Sequence, residues 1–287
     1  LNYDCLPCHE SRVKNASAHT NHPRESPGNR CVSCHMPMTE FARMKRSDHS
    51  LLPPVPASTI AYKSPNACNN CHADKDATWA DEKVRKWRVR DYQDPFMHRA
   101  GLVNAARKRD WSILPDIGAY LKSDVRNEIF AVSIIRLLRP CPSRDKWPII
   151  LSAMNDPSPL VRSAAAEALS ECPSDKAYRA LVKATGDEYR IVRIRAAAAL
   201  AGFSQSEVEE ADRRNMDRAL QEYVNSLLIR TDHWSSYYNM GNYFLRAGYP
   251  NQALKSYRVA AQRDPRTPVP LVNMSLAYAR LADFHNA

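Results

Sequence analysis

Six of the eight cysteines stand in three pairs, each with two residues between the thiols: Cys5/Cys8, Cys31/Cys34 and Cys68/Cys71. A histidine follows each pair directly: His9, His35 and His72. Two thiols at that spacing can add to the two vinyl groups along one porphyrin edge and form thioethers. The next residue then lies under the iron as an axial imidazole. Cys-x-x-Cys-His is the attachment pattern of c-type haem, so the expected cofactors are three covalent haem c groups, with iron held by His9, His35 and His72. Two other chemistries use such thiol pairs. Structural zinc takes four ligands; three pairs leave one without a partner, and zinc gives no reason for a histidine after every second cysteine. A redox dithiol wants a βαβ context, which the loop-like surroundings do not offer.

A haem iron has a sixth position. The histidines outside the motifs in this region are His19, His22 and His49. Three irons and three spare imidazoles predict bis-His coordination throughout, which implies lower potentials than His/Met ligation. The pairing of each histidine with its haem is left open, as is a partner haem upstream of Leu1 or on another chain. Asp48, beside His49, is a candidate acceptor that would orient the ring; a solvated loop carboxylate is the competing reading. Met36 and Met38 follow His35 too closely to reach the opposite face of the same haem, and are expected to pack on porphyrin. A catalytic haem keeps an open position for substrate. Matched ligands leave none, so the expectation is an electron carrier and not an enzyme.

The 287 residues carry 41 Lys and Arg against 31 Asp and Glu, a formal charge of +10. A basic balance points to nucleic acid, acidic lipid or an acidic partner. Haem propionates give a local account: a ferric bis-His haem brings about −1 overall, so three would remove about three charges. No basic helix accompanies a groove-reading motif, so nucleic acid is not an expected partner. No run approaches the length of a membrane span.

The elements behind these motifs must be mostly helical. Gly is scarce (7) and Pro plentiful (20), which suits helices punctuated by proline. Residues 1–93 read as a trihaem domain. Its first 75 residues are too poor in aliphatic runs to form a core alone. Residues 51–67 read as an extended wrap over haem, or a plain linker. Thr78 to Val89 reads as a helix anchored by Trp79, Val84 and Trp87.

From Asp94 a 31-residue period appears. Asp156-Pro-Ser-Pro-Leu-Val-Arg162 aligns with Asp187-Glu-Tyr-Arg-Ile-Val-Arg193, each opening an Ala-rich helix, and Cys141 aligns with Cys172. Four helix pairs fit residues 94–217, and the pattern resembles HEAT repeats. Cys141 and Cys172 would lie about 10 Å apart, beyond disulfide reach, and are expected as buried thiols. His98 aligns with Ile129 and is expected to be structural. Residues 218–287 fit the 34-residue TPR template: Tyr237, Met240, Gly241 and Phe244, then Gly248, Ala253, Tyr257, Ala260 and Pro265, with Met274, Tyr278 and Ala287 starting a second copy. The fold class expected is therefore mostly α, a loop-rich multihaem domain followed by an α-solenoid. Both ends read as cuts within a longer protein.

Cys31 to Met38, Asp48-His49-Ser50, Pro65 to His72 and His19-Thr-Asn-His22 together resemble a bacterial family of multihaem cytochromes c with HEAT and TPR repeats behind the haem domain. The resemblance implies export to the periplasm or cell surface and further haem motifs nearer the N-terminus. The functional expectation is electron transfer to redox protein partners, with the repeats docking proteins or assembling copies of the chain, up to a filament. The alternative is an electron-delivering subunit or haem enzyme of nitrogen- or sulfur-oxide metabolism.

Overall fold

Prolines and polar caps cut this chain into short helices. Pro56, Pro115, Pro159, Pro250 and Pro270 sit in the first turns of helices, where the missing N–H costs nothing. Asp76, Asn127 and Ser174 accept hydrogen bonds from backbone N–H groups of the turns they open. The computed structural model describes residues 2, 5–6, 8–203 and 208–283. Among the described residues there are sixteen α-helices and one two-stranded sheet. They divide into two compact units, Leu1–Asn104 and Ala105–Ala287.

The first unit holds α1 (Glu10–Lys14), α2 (Ala16–Thr20), α3 (Cys31–His35), the strands β1 (Met38–Phe41) and β2 (Met44–Ser47), α4 (Pro56–Tyr62), α5 (Ala77–Trp87) and most of α6 (Asp94–Arg107). The strands form an antiparallel hairpin, Met38 opposite Ser47 and Phe41 opposite Met44. Its turn residues Ala42 and Arg43 both have positive φ, 50° and 64°, as the favoured two-residue hairpin turn demands. Asn-Gly is the usual signal for that turn, so the hairpin gave no cue in the sequence.

The stretch 51–67 is not wholly extended, because Pro56 starts α4. This helix packs on α5. Gln93, almost fully buried, joins the two: its Oε1 accepts from the Ala57 N–H at 3.1 Å, and its Nε2 donates to Asp81 at 2.6 Å. The Tyr92 hydroxyl donates to the Pro54 carbonyl. Within α5, Ala80 and Val84 are buried, whereas Trp79 and Trp87 are half-buried.

The second unit continues with α7 (Leu114–Lys122), α8 (Glu128–Leu137), α9 (Lys146–Ala153), α10 (Pro159–Leu169), α11 (Asp175–Ala184), α12 (Arg190–Leu200), α13 (Glu210–Leu228), α14 (Trp234–Arg246), α15 (Pro250–Arg263) and α16 (Val269–Arg280). Helices α8, α10 and α12 start 31 residues apart, at 128, 159 and 190, and α10 packs against both of the others. Their facing sides are small: Ala164, Ala165, Ala166 and Ala168 on α10, and Ala196 to Ala199 on α12, are buried. Small side chains let the helix axes approach, and stacking buries a surface that one pair could not cover. Cys141 and Cys172 are buried and unbridged. His98 is exposed on α6, and its counterpart Ile129 is also exposed, so that repeat position does not face the core.

A guanidinium ladder locks the repeats. Arg162 donates to the Asp156 and Pro157 carbonyls of its own repeat and makes two bonds to the Asp187 carboxylate of the next, at 2.8 and 3.1 Å. Arg193 does the same one repeat on, reaching the Asp187 and Glu188 carbonyls and, at 2.9 and 2.8 Å, Glu222. Arg126 pairs with Asp156. This is the physical meaning of the Asp-x-x-x-x-Val-Arg pattern. Helices α14 and α15 form a further pair, in which Tyr257 lies against the face of Gly241; a Cβ there would be 2.9 Å from Cζ and closer to the ring edge. The loop between them turns at Gly248, φ 81°. Met274 and Tyr278 pack on the same core; Ala287 lies outside the described residues.

Burial opposes ionisation of Asp187, but bonds from Arg162 and the Tyr189 N–H outweigh it and hold the carboxyl below its usual range. Its contribution is therefore present above the unfolded carboxylate pKa and lost as pH falls through the lower folded value. Arg162→Ala should lower unfolding free energy by about 2 kcal/mol at neutral pH. The difference from the parent should shrink below about pH 4; urea titrations across pH check both.

Candidate haem-binding site

The local chain brings four of the six proposed imidazoles together in two pairs. Cys31 to His35 form the single turn of α3, and Cys68–Asn70 a 3₁₀ turn that delivers Cys71 and His72. One helical turn places both thiols and the histidine of a motif around the same short axis. Helix α2 carries His19 in its last turn and is stopped by Asn21, whose φ of 56° reverses the chain and presents His22 separately.

The rings of His19 and His35 lie nearly parallel, 12° apart, with centroids 6.3 Å apart. Those of His22 and His72 are 6.1 Å apart and inclined at 38°. Trp79 packs on His72 at 4.8 Å, and Trp87 meets His22 edge-on at 6.0 Å. The two tryptophans of α5 thus flank the second histidine pair. They serve the site more than the helix core that the apolar pattern alone would assign them to.

Hydrogen bonds fix which nitrogen each ring presents. His22 Nδ1 is 2.7 Å from the Thr20 carbonyl, and His49 Nδ1 is 2.8 Å from the Ser47 carbonyl. A carbonyl can only accept, so each Nδ1 carries the proton and Nε2 keeps its lone pair, as for metal-ligating histidines. Asp48 does not orient His49: its Oδ1 accepts from the Ser50 N–H at 2.8 Å. His9 and His49 are exposed, and no described ring contact joins either to another imidazole.

Asn29 is the tie beneath the first pair. Buried itself, it accepts from Thr20 Oγ1 at 3.0 Å and Ser17 Oγ at 3.4 Å, donates to the Arg24 carbonyl at 3.2 Å, and accepts through its own carbonyl from Asn2. Asn2 accepts in turn from the Cys31 N–H at 3.0 Å. These bonds connect the helix bearing His19 to the start of the Cys31 motif. Arg88, just past α5, donates to the His19 carbonyl at 2.9 Å. Burial, then the Arg88 and Arg12 guanidiniums and His35, lower the His19 pKa and favour the neutral ring. Burial pushes the Cys34 thiol up to about 11, with Cys68 and Cys71 close enough to add to the effect.

Two observations test whether these residues fit haem. His19 Nδ1 is buried with no hydrogen-bond partner, an arrangement that calls for a further group beside the ring. Gly28 faces the His22 ring so closely that a Cβ would be 2.7 Å from Nε2 and nearer still to Cδ2. The cradle is built to leave that imidazole room. Haem iron asks the protein for two axial ligands, and the site offers imidazoles in pairs. The residues fit the cofactor.

Residues 5–110 match the family model described as cytochrome c552, and residues 105–201 match the model of HEAT repeats. No curated protein and no solved structure matches the chain. The matched segments describe a c-type cytochrome region with HEAT repeats C-terminal to it. Among the described residues no helix is long and apolar enough to cross a membrane. Asn29→Ala should lower the stability of the haem-loaded protein by roughly 2 kcal/mol, since it removes the bonds of a buried amide to Ser17, Thr20 and Arg24; urea unfolding followed at the haem absorbance checks this.

Proposed function

We propose that this chain, a c-type cytochrome region joined to HEAT repeats, is an exported electron carrier with three bis-His haems and a repeat scaffold that docks its partners. The observation that carries the reading is the set of three Cys-x-x-Cys-His motifs beside histidines whose Nδ1 atoms are committed to backbone carbonyls. Cys5 and Cys8, Cys31 and Cys34, and Cys68 and Cys71 would hold the porphyrins by thioether bonds. His9, His35 and His72 would take one axial position each; His19, His22 and His49 would supply the others. When bound, haem supplies a one-electron couple at iron.

The residues do the rest. Thr20 and Ser47 hold the His22 and His49 rings in one tautomer, which keeps a lone pair aimed away from the backbone. Trp79 packs on His72 and Trp87 on His22, which holds the two rings in place. Filled axial positions leave nowhere for a substrate, which is why a carrier is proposed here and not a reductase.

The second unit supplies docking surface. Stacked helix pairs make extended concave faces suited to protein partners. A cleft in this unit has Arg195, Arg246 and Asn239 in its lining together with Glu167, Tyr223 and Leu245, a mixed surface that a protein segment could meet. The helix pair α14/α15, with Gly241 opposite Tyr257, supports a TPR reading for residues beyond the HEAT match. Self-association through the same repeats would place haem domains of successive copies in series.

Intact-mass measurement of the protein matured in an exporting host should show three haem additions, and Cys→Ser changes at any one motif should remove one. His49→Ala should turn one haem from low to high spin in the ferric EPR spectrum. An unchanged spectrum would remove His49 from the ligand set. A high-spin signal in the parent protein that responds to nitrite or hydroxylamine would replace the carrier reading with the enzyme one.

A further inference from the structure

Two imidazoles bound to one metal from opposite sides have a characteristic separation. Each metal–nitrogen bond is about 2.0 Å, as for other imidazole–metal bonds, and a ring centroid lies roughly 1.1 Å behind its nitrogen, so the centroids stand roughly 6.2 Å apart. The His19–His35 and His22–His72 separations, 6.3 and 6.1 Å, have that value. Ordinary aromatic contacts also reach such distances, so the spacing needs support from elsewhere. It comes from the atoms. The His22 ring has its Nδ1 tied to the Thr20 carbonyl, leaving Nε2 as the ligand. The His19 ring lies within 12° of parallel to that of His35, and its backbone is held by Arg88 at the His19 carbonyl. In each pair one ring is the histidine of an attachment motif.

We infer that His19 and His35 are the two axial ligands of one iron, and His22 and His72 those of a second, so that the turn His19–Thr20–Asn21–His22 joins two haems. The inference rests on the haem reading given above and adds the pairing. Asn21 makes it possible: its left-handed backbone ends α2 after His19 and sends His22 to a different site. Thr20 sits between the two ligands and serves both sides. Its hydroxyl donates to Asn29 and accepts from the His22 N–H at 3.2 Å, and its carbonyl holds the His22 ring. Two ligands three residues apart therefore bind haems whose attachment motifs are 37 residues apart, Cys31 against Cys68, and this turn is the shortest covalent route between the two sites. Gly28 is a positioning residue for the second pair only, because its Cα faces the His22 ring.

The experiment combines ligand and attachment variants in the full chain, with intact mass for haem content and ferric EPR for spin state. His19→Ala should produce one high-spin haem. That signal should vanish when Cys31 and Cys34 are also changed to Ala, and persist when Cys68 and Cys71 are changed instead. His22→Ala should give the opposite pattern. A high-spin signal that follows the other motif, or that follows Cys5 and Cys8, would overturn the pairing while leaving both histidines as ligands. No high-spin signal from either variant, with all haems still attached, would overturn their ligand role and the broader reading with it. Gly28→Ala covers the case in which a ligand variant fails to mature: it should alter the low-spin signal lost with Cys68 and Cys71 and spare the one lost with Cys31 and Cys34. Equal effects on both would contradict the assignment.

Discussion

Among the described residues of the first 104, the buried apolar side chains are Ala16, Pro56, Ala80, Val84 and Leu102. At roughly 25 cal/mol per Å² of apolar surface, that interior falls far short of the conformational entropy of ordering such a segment. Covalent attachment is the constraint that resolves this. Each thioether pair removes freedom from the unfolded chain, much as a disulfide does, and each porphyrin offers a flat apolar surface for the chain to cover. The short helices, the hairpin and the turn at Asn21 make sense as shapes imposed around cofactors more than as elements stable by themselves. Helices of five residues, such as α1, α2 and α3, lie well below the length at which isolated helices form.

The second unit follows the opposite logic. Its helices bury continuous small-residue faces and are tied by Arg162 to Asp187 and Arg193 to Glu222. Repeats of this kind carry stability from neighbour to neighbour. On the proposed reading, a module shaped by its cofactors precedes a scaffold of stacked repeats. The unit boundary falls inside α6, between Asn104 and Ala105.

How much of this was legible from residues alone varied with its physical origin. The repeats were readable because their period reflects a contact made again every 31 residues, and the Val-Arg pattern names the ion pair that makes it. The haem motifs were readable because thioether chemistry fixes their spacing. The hairpin was not, since Ala42 and Arg43 adopt left-handed backbone without the residues that favour it. Helix α4 was hidden by the prolines around it. Gly28 and Asn29 carry no signal either: a glycine demanded by a ring lying against it and a buried amide bonded to Ser17, Thr20 and Arg24 are tertiary facts. The apolar spacing makes Trp79 and Trp87 helix anchors; the structure sets them against His72 and His22.

The dependence of the first unit on its cofactors is open to one direct measurement: amide hydrogen exchange of the full chain, matured with haem, against the same chain with all six motif cysteines changed to Ala. The account predicts that residues 8–75 lose their protection in the haem-free chain while residues 105–203 exchange as slowly as before. Equal protection of the first segment in both proteins would show that it folds on its own contacts and would contradict the account.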